Sequence, residues 1–452
     1  MLRGSFCTLL ACIVAGCSAS HDVDPDDERR SSERGEDPRD GQKNEAEAPA
    51  LGEPLTYYAD VKPILDSKCG GCHSEGGIGP LPLTSFEEVD SVKQLVAVDV
   101  ASGKMPPWTA NAALDYYVGD RRLTPEQKDT IVRWVKQGAA EGDPADEPGA
   151  PPTGPRGLSR IDGTMKFQKP FTPSTNDEYR CFPLEWPYTD KTRYLTGLSI
   201  EPDRREMVHH GIVYFVQPEN AEAVRARDAE TEEIGYPCNG VNVGGAAWLT
   251  SYEPGGFGQD IPGGLGFEVR PGSMFVVQMH YSTLNGAFPD QSRVDFKVDD
   301  QVDRVGRVQL LLNPLWIAGF MNIPAGEPDV MHAYSYRPAG MAASASYDLY
   351  WADLHMHQLG KSASIGVVRA DGTREGLLGI PEWDFAWQET YIFAKPVRIN
   401  PGDQLYVECH WDNSLEHQPM VDGQRPQPRN VNWGDHTSDE MCLGAVLIGP
   451  PE

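Results

Sequence analysis

Five residues constrain this chain most: Cys69-Gly70-Gly71-Cys72-His73. Two thiols three positions apart, with an imidazole directly after, are spaced to add across the vinyl groups of a haem while the histidine takes an axial position on the iron. A fold built around this motif must leave room for a flat ring and bring a second axial ligand from elsewhere. Met105 is the candidate, because Met105-Pro106-Pro107-Trp108 presents a thioether on a backbone stiffened by two prolines. Redox dithiols and half zinc sites share the spacing, but no second CxxC exists and the flanking sequence does not read as a βαβ unit.

The N-terminus, Met1-Leu2-Arg3 followed by an apolar run to Val14-Ala15-Gly16-Cys17-Ser18, reads as a bacterial lipoprotein export signal. Residues 1–16 are then removed and Cys17 becomes the lipidated first residue, placing the chain in the cell envelope, periplasmic or at the outer-membrane surface. Residues 17–55 mix both charges with almost no large apolar side chain and are expected to be a disordered tether. No later apolar stretch is long enough to span a bilayer, so membrane attachment is expected through the acyl chains alone. The formal net charge of −28, with no basic stripe, argues against nucleic acid as a partner. Cys7, Cys12 and Cys17 belong to the signal and anchor. With Cys69 and Cys72 assigned to haem, Cys181, Cys238, Cys409 and Cys442 remain, an even number that favours disulfides in an oxidising compartment, with three pairings open.

At 452 residues the chain is too long for one core, and about three domains are expected. Residues 56–142 read as a small all-α c-type cytochrome domain. Residues 57–65 carry apolar side chains at helical spacing. Leu123-Thr124-Pro125-Glu126-Gln127 is a helix start with Thr124 as N-cap, Pro125 at N1 and Gln127 at N3, after which Ile131, Trp134 and Val135 share a face and Gly138 stops the helix. Residues 143–165 are linker chemistry, rich in proline and glycine. Beyond them come short β runs punctuated by turn residues, at 207–216, 273–282, 305–312, 346–357 and 404–411. Two all-β sandwiches are expected, residues 166–313 and 314–452, joined near Asn313-Pro314.

This β region holds a second constellation: His209-His210, His280, His355-Met356-His357 and Met441. Residues two apart on a strand face the same side, so His355 and His357 present two imidazoles together, whereas adjacent His209 and His210 need a bulge or twist to reach one ion. His280 can supply the third nitrogen. Three imidazoles suit copper, zinc or iron, and a thioether such as Met441 beside a His-x-His pair favours copper. Taken singly, each of these residues also reads as packing. His332, His410, His417 and His436 read as surface or packing residues, with a supporting role for His436 the one further option.

Val208-His209-His210, Gln278-Met279-His280-Tyr281, Asn313-Pro314-Leu315-Trp316-Ile317-Ala318-Gly319, His355-Met356-His357-Gln358-Leu359-Gly360 and Thr437-Ser438-Asp439-Glu440-Met441-Cys442 occur in this order. Over residues 166–452 the chain resembles the copper type II monooxygenases, the family of the peptidylglycine-hydroxylating and dopamine-hydroxylating enzymes. The resemblance implies two jelly-roll-like β-sandwich domains with one copper each, facing across a cleft. It implies an electron-transfer copper on His209, His210 and His280, and an oxygen-binding copper on His355, His357 and Met441. It further implies a Cys409–Cys442 disulfide, leaving Cys181 with Cys238. Where the peptide-hydroxylating relative has an arginine that binds the substrate carboxylate, this chain has Asp353, so a peptide carboxylate would be repelled and the substrate is not transferable.

The expectation is therefore a C–H hydroxylase using O2 on a small substrate, with two copper ions and one covalent c-type haem. Its one-electron donor would be ascorbate or a periplasmic redox carrier, the haem supplementing or replacing ascorbate and docking through the flexible 141–165 segment. An exported electron-transfer or copper-holding lipoprotein is the competing class, and a haem-linked binding module a third; a mixed His, His, Met site open to dioxygen distinguishes the oxygenase.

Overall fold

In the computed structural model the described residues are 52–452, apart from 76, 78, 149–156, 176–177, 239–245, 254–255, 257, 284–285, 338–343, 386, 421–422, 435–437 and 452. The expected signal, the lipidated Cys17, most of the tether, residues 149–156 of the linker and His436 lie outside the described residues.

Local sequence accounts for the helices. Thr56 accepts from the Ala59 N–H to open the short turn Tyr57–Val61, which runs into Lys62–Lys68. Ser85 and Glu88 close a reciprocal capping box at the start of Phe86–Ser102, and Gly103, at φ 77°, ends it in the left-handed region. Pro125–Lys136 starts as its sequence predicts, Thr124 and Gln127 satisfying each other's backbone N–H. Tyr57, Val61, Leu65, Val89, Val100, Ile131 and Trp134 meet in one apolar cluster.

The rest is mostly β. A five-stranded sheet runs in the order Tyr236–Pro237, Glu178–Glu185, Met274–Tyr281, Val208–Val216, Ala247–Tyr252. A six-stranded sheet is built on Arg193–Glu201 and Arg293–Asp299. One four-stranded sheet runs Arg307–Leu311, Leu443–Gly449, Tyr347–His355, Tyr391–Ile399, and the other Val330–Tyr336, Gln404–Trp411, Gly360–Val368, Arg374–Ile380. The expected β runs fall on these strands, residues 404–411 without a shift. Cys181 bonds to Cys238 and Cys409 to Cys442, which fits an oxidising, extracytoplasmic compartment. Among the described residues no helix is long and apolar enough to cross a membrane.

The expected fold class, an all-α c-type cytochrome followed by two all-β jelly-roll-like sandwich domains, is corrected by this arrangement. Residues 51–452 form one compact, predominantly β unit of four small sheets, and the helical segment is not a separate all-α domain within it. Shared apolar burial is the physical reason. The cluster beneath the six- and five-stranded sheets takes in Tyr350, Trp351, Ile392, Ala445 and Leu447 from the C-terminal half, and the cluster between the four-stranded sheets takes in Ala110 and Tyr117 from the segment expected to be cytochrome.

That segment, residues 109–122, is a strap laid along the Tyr391–Ile399 strand. Val118 N–H donates to the Ile392 carbonyl (2.8 Å) and Ala394 N–H to the Tyr116 carbonyl (3.0 Å). The buried Tyr117 hydroxyl donates to the Leu377 carbonyl (2.7 Å), and its ring packs on Tyr391 and Phe393. Removing a buried aromatic costs about 3–5 kcal/mol, so Tyr117→Ala should lower the midpoint of a single unfolding transition seen alike by far-ultraviolet dichroism and tryptophan fluorescence. Two separated transitions would mean that the helical segment unfolds independently.

Candidate metal centres

Strand register sets the first histidine group. Val208 pairs with Tyr281 and His210 with His280, so His209 is the extra residue of a bulge. The bulge turns two sequence neighbours toward the same point. His210 Nδ1 lies 3.4 Å from both His209 Nδ1 and His280 Nδ1, and ligand atoms of all three residues fall within 4.8 Å of one another. Three nitrogens each about 2.0 Å from one ion, spread trigonally, stand roughly 3.5 Å apart, so this spacing fits a metal. Burial, reinforced by the neighbouring imidazoles, holds His210 well below its usual pKa, which keeps its lone pair free. Tyr179 stacks on the His280 ring at 4.1 Å and 7°.

The second group follows the Tyr347–His355 strand. His355 and His357 are buried with ring centroids 5.1 Å apart. His355 Nδ1 donates to Gln388 Oε1 (2.6 Å), whose amide is oriented by donating to the Phe385 carbonyl (2.9 Å). His355 Nε2 is thereby left buried with no hydrogen-bond partner, the state of a nitrogen that faces a metal. Burial, then the charge of His357, lowers the His355 pKa to about 3. His357 Nδ1 donates to the Asp439 carbonyl (3.1 Å), which fixes the proton on Nδ1. Met441 is buried on the segment entering Leu443–Gly449, and the preceding Glu440 pins that segment to the His-x-His turn. The Glu440 carboxylate accepts from the N–H groups of His357 (2.9 Å) and Leu359 (2.6 Å) and from Trp411 Nε1 (2.8 Å).

The two groups are neighbours. Trp248, on the strand paired with the His209-His210 strand, brings its ring to 6.2 Å from His355, and His210 feels the His355 charge. A cavity of about 480 Å³ opens beside His357, lined by Trp108, Gln358, Trp383, Phe385 and His417, with the Phe385 ring 6.1 Å from that of His357. The volume suits a small molecule. His417 therefore faces a cavity, whereas His410 pairs with Asp329 and His332 donates to the Asn322 carbonyl, both structural. Asp353 is buried, and burial holds its carboxyl well above the usual range. Burial thus disfavours its charged form.

Cys69 and Cys72 are half-buried and unpaired. Burial pushes both thiols up, Cys69 to about 12, the opposite of a redox dithiol, whose thiolate must be accessible near neutral pH. His73 Nδ1 donates to the Leu81 carbonyl (2.7 Å), which leaves Nε2 for a metal. Met105 lies just past Phe86–Ser102, its N–H on the Asp99 carbonyl. Two unpaired thiols with an adjacent imidazole are the donor types that covalent haem attachment uses.

Residues 323–447 match the family model of the copper type II ascorbate-dependent monooxygenase C-terminal domain. In this region the chain is similar to the copper type II ascorbate-dependent monooxygenases. Its relatives include a putative DBH-like monooxygenase protein 2 of Homo sapiens, 25% identical, the alignment covering 62% of this chain and 54% of that one. DBH-like monooxygenase protein 1 of Gallus gallus is 24% identical over 66% of this chain and 48% of its own length. The chain thus spans about half the length of the relatives it matches. Similarity to a copper-dependent family agrees with the imidazole-rich donor sets of the two centres.

Gln388, Glu440, Tyr179 and Trp248 are supporting residues that the sequence did not single out. Only Glu440 carried a signal, as the acid directly before Met441. Neutral buried imidazoles predict a pH response. His355 is depressed from the ordinary 6.5, so the unfolded chain binds protons that the folded chain refuses as pH falls below about 6.5. The metal-free protein should lose thermal stability between pH 7 and 5, and His355→Gln should flatten that slope. An identical slope in the variant would contradict the assignment.

Proposed function

We propose that this copper monooxygenase hydroxylates a C–H bond of a small substrate with O2, with electrons entering through a haem on Cys69, Cys72 and His73. One oxygen atom enters the substrate and the other leaves as water, which consumes two electrons and two protons. His209, His210 and His280 would hold one copper through their Nδ1 atoms; His355, His357 and Met441 would hold the other. A copper ion in either set supplies one-electron chemistry, and the second set adds a position open to dioxygen. The observation that supports this reading best is the convergence of three Nδ1 atoms, His210 Nδ1 lying 3.4 Å from both His209 Nδ1 and His280 Nδ1, beside a second centre whose buried His355 Nε2 has no hydrogen-bond partner.

The chain's own residues supply the rest. Gln388 and the Asp439 carbonyl fix the tautomers of His355 and His357, and Glu440 holds the Met441 segment against them. Trp383, whose indole N–H donates to the His357 carbonyl (3.2 Å), and Phe385 wall the cavity with apolar surface next to the centre. A small substrate seated there would be positioned by shape and kept from water. The external donor would be ascorbate or a soluble one-electron carrier, and a lipid anchor on Cys17 would hold the protein at the envelope.

Metal analysis of the purified soluble chain should find two coppers and one iron. Dioxygen should reoxidise the dithionite-reduced haem in the intact protein but not in His355→Ala. Zinc in place of copper, or equal reoxidation in the variant, would reject this reading.

A further inference from the structure

A largely buried charged cluster lies between the CxxCH segment and His355. Arg121, at the end of the strap, places its guanidinium over the rings of Trp108 and Trp387, 5.4 and 5.2 Å from their centroids. One Nη donates to Glu389 Oε2 at 2.6 Å, and the other lies 3.9 Å from Glu253 Oε1. Toward the thiols, the carbonyl of the adjacent Asp120 accepts from Lys68 Nζ (2.7 Å), and Lys68 directly precedes Cys69. Toward the copper centre, Glu389 directly follows Gln388, whose Oε1 is the 2.6 Å partner of His355 Nδ1. Two hydrogen bonds, Arg121–Glu389 and Gln388–His355, therefore connect the strap to a ligand ring, the remainder of the path being covalent. The Cys72 thiol also feels the charges of Arg121, Glu253 and Glu389, so the attachment point is close to the same cluster.

The Gln388–His355 bond orients a metal ligand, but the contacts of Arg121 with Glu389, Glu253 and the two indoles touch no ligand ring, and a buried guanidinium facing two carboxylates is costly to maintain. Electron tunnelling decays much more steeply across gaps than along bonded atoms. A short, rigid, hydrogen-bonded path is therefore the feature that a fixed electron entry requires and that a docking domain cannot hold in place. The strap supplies the rigidity, since its backbone is paired with the strand that starts two residues after Glu389.

We propose that Arg121, Glu389 and Gln388 form a fixed electron-entry bridge from the haem-attachment segment to the His355 centre, so that the expected docking step does not exist. This rests on the reading of Cys69, Cys72 and His73 as a haem site. Each transfer moves one electron: ferrous iron becomes ferric, Cu(II) becomes Cu(I), and the external one-electron donor restores the iron. The second electron for each hydroxylation comes from the His209, His210, His280 cradle, which the bridge does not touch and which the same external one-electron donor would reduce again directly, so that two donor electrons are consumed per turnover. Arg121 is a positioning residue in this scheme.

The test uses the full chain loaded with haem and copper, fully reduced and mixed with dioxygen in a stopped-flow instrument while the haem absorption band is followed. In the unmodified chain the haem oxidation rate should be first order, independent of protein concentration and insensitive to added viscogen. The paired substitution Arg121→Met with Glu389→Gln leaves no unpaired Arg121 or Glu389 charge. It should slow haem oxidation about ten- to a hundred-fold, the range seen when a supporting contact behind a metal ligand is lost, with copper content and haem spectrum unchanged. Arg121→Lys, which keeps the ion pair, should recover most of the rate. An unchanged rate in the paired variant, or a concentration- or viscosity-dependent rate in the unmodified chain, overturns the bridge. The latter two measurements hold even if the variant fails to fold. If haem oxidation in the unmodified chain is no faster than in copper-depleted protein, the haem is not a donor to copper, and the underlying reading fails with the bridge.

Discussion

An imidazole serves as a metal ligand only while one ring nitrogen keeps its lone pair, so a fold that builds such a site must bury histidines beside one another without charging them. Two different devices achieve this here. In the first centre, a bulge at His209 brings three rings together on two paired strands, and crowding in a dry environment keeps His210 neutral. In the second, each Nδ1 proton is committed to an oxygen, from Gln388 for His355 and from Asp439 for His357. The first centre is made by register, which a strand ladder fixes firmly. The second depends on two loops, and it is there that the Glu440 carboxylate, buried among N–H donors, ties the loops together.

The same dependence on burial explains why the chain does not divide into independent pieces. Tyr350, Trp351 and Leu447 leave their own sheets to fill the core of the N-terminal half, while Ala110 and Tyr117 do the reverse from the strap. Apolar area shared across an intended boundary removes the boundary, because separating the parts would expose both faces. The strap that follows Met105 is anchored in this way to the same body as the two histidine groups.

Much of this was readable from the chain. The Thr124 to Gln127 box and the Gly138 stop are local rules acting on adjacent residues, and they appear in the structure as such. The β runs and the bulge at His209-His210 followed from period-two patterning. The strap did not. Residues 109–122 have no periodicity, and their conformation is set by an edge strand nearly three hundred positions later in the sequence. Gln388 was equally silent: a glutamine in a turn-rich stretch has no pattern that marks it as the partner of His355. The separate cytochrome was an inference from the motif to the domain that usually houses it, and a motif fixes chemistry more tightly than it fixes fold.

Asp353 shows how the same distinction bears on the substrate. Read as a sequence, an acid two residues before His355 in place of a basic residue reverses the local charge and excludes anionic ligands. In the fold its carboxyl is buried near Thr390 and Glu389, and burial raises its pKa and disfavours the charged form. The cavity beside His357 is lined instead by Trp383, Phe385 and His417, by Trp108 from just before the strap, and by the acidic Glu382 and Asp384. That cavity takes part of its lining from the segment carrying the second expected haem ligand, Met105. Binding in the cavity and the position of the strap are then mechanically linked, because Trp108 also supports the Arg121 guanidinium. A ligand that shifts Trp108 has to shift the ion pair leading to His355.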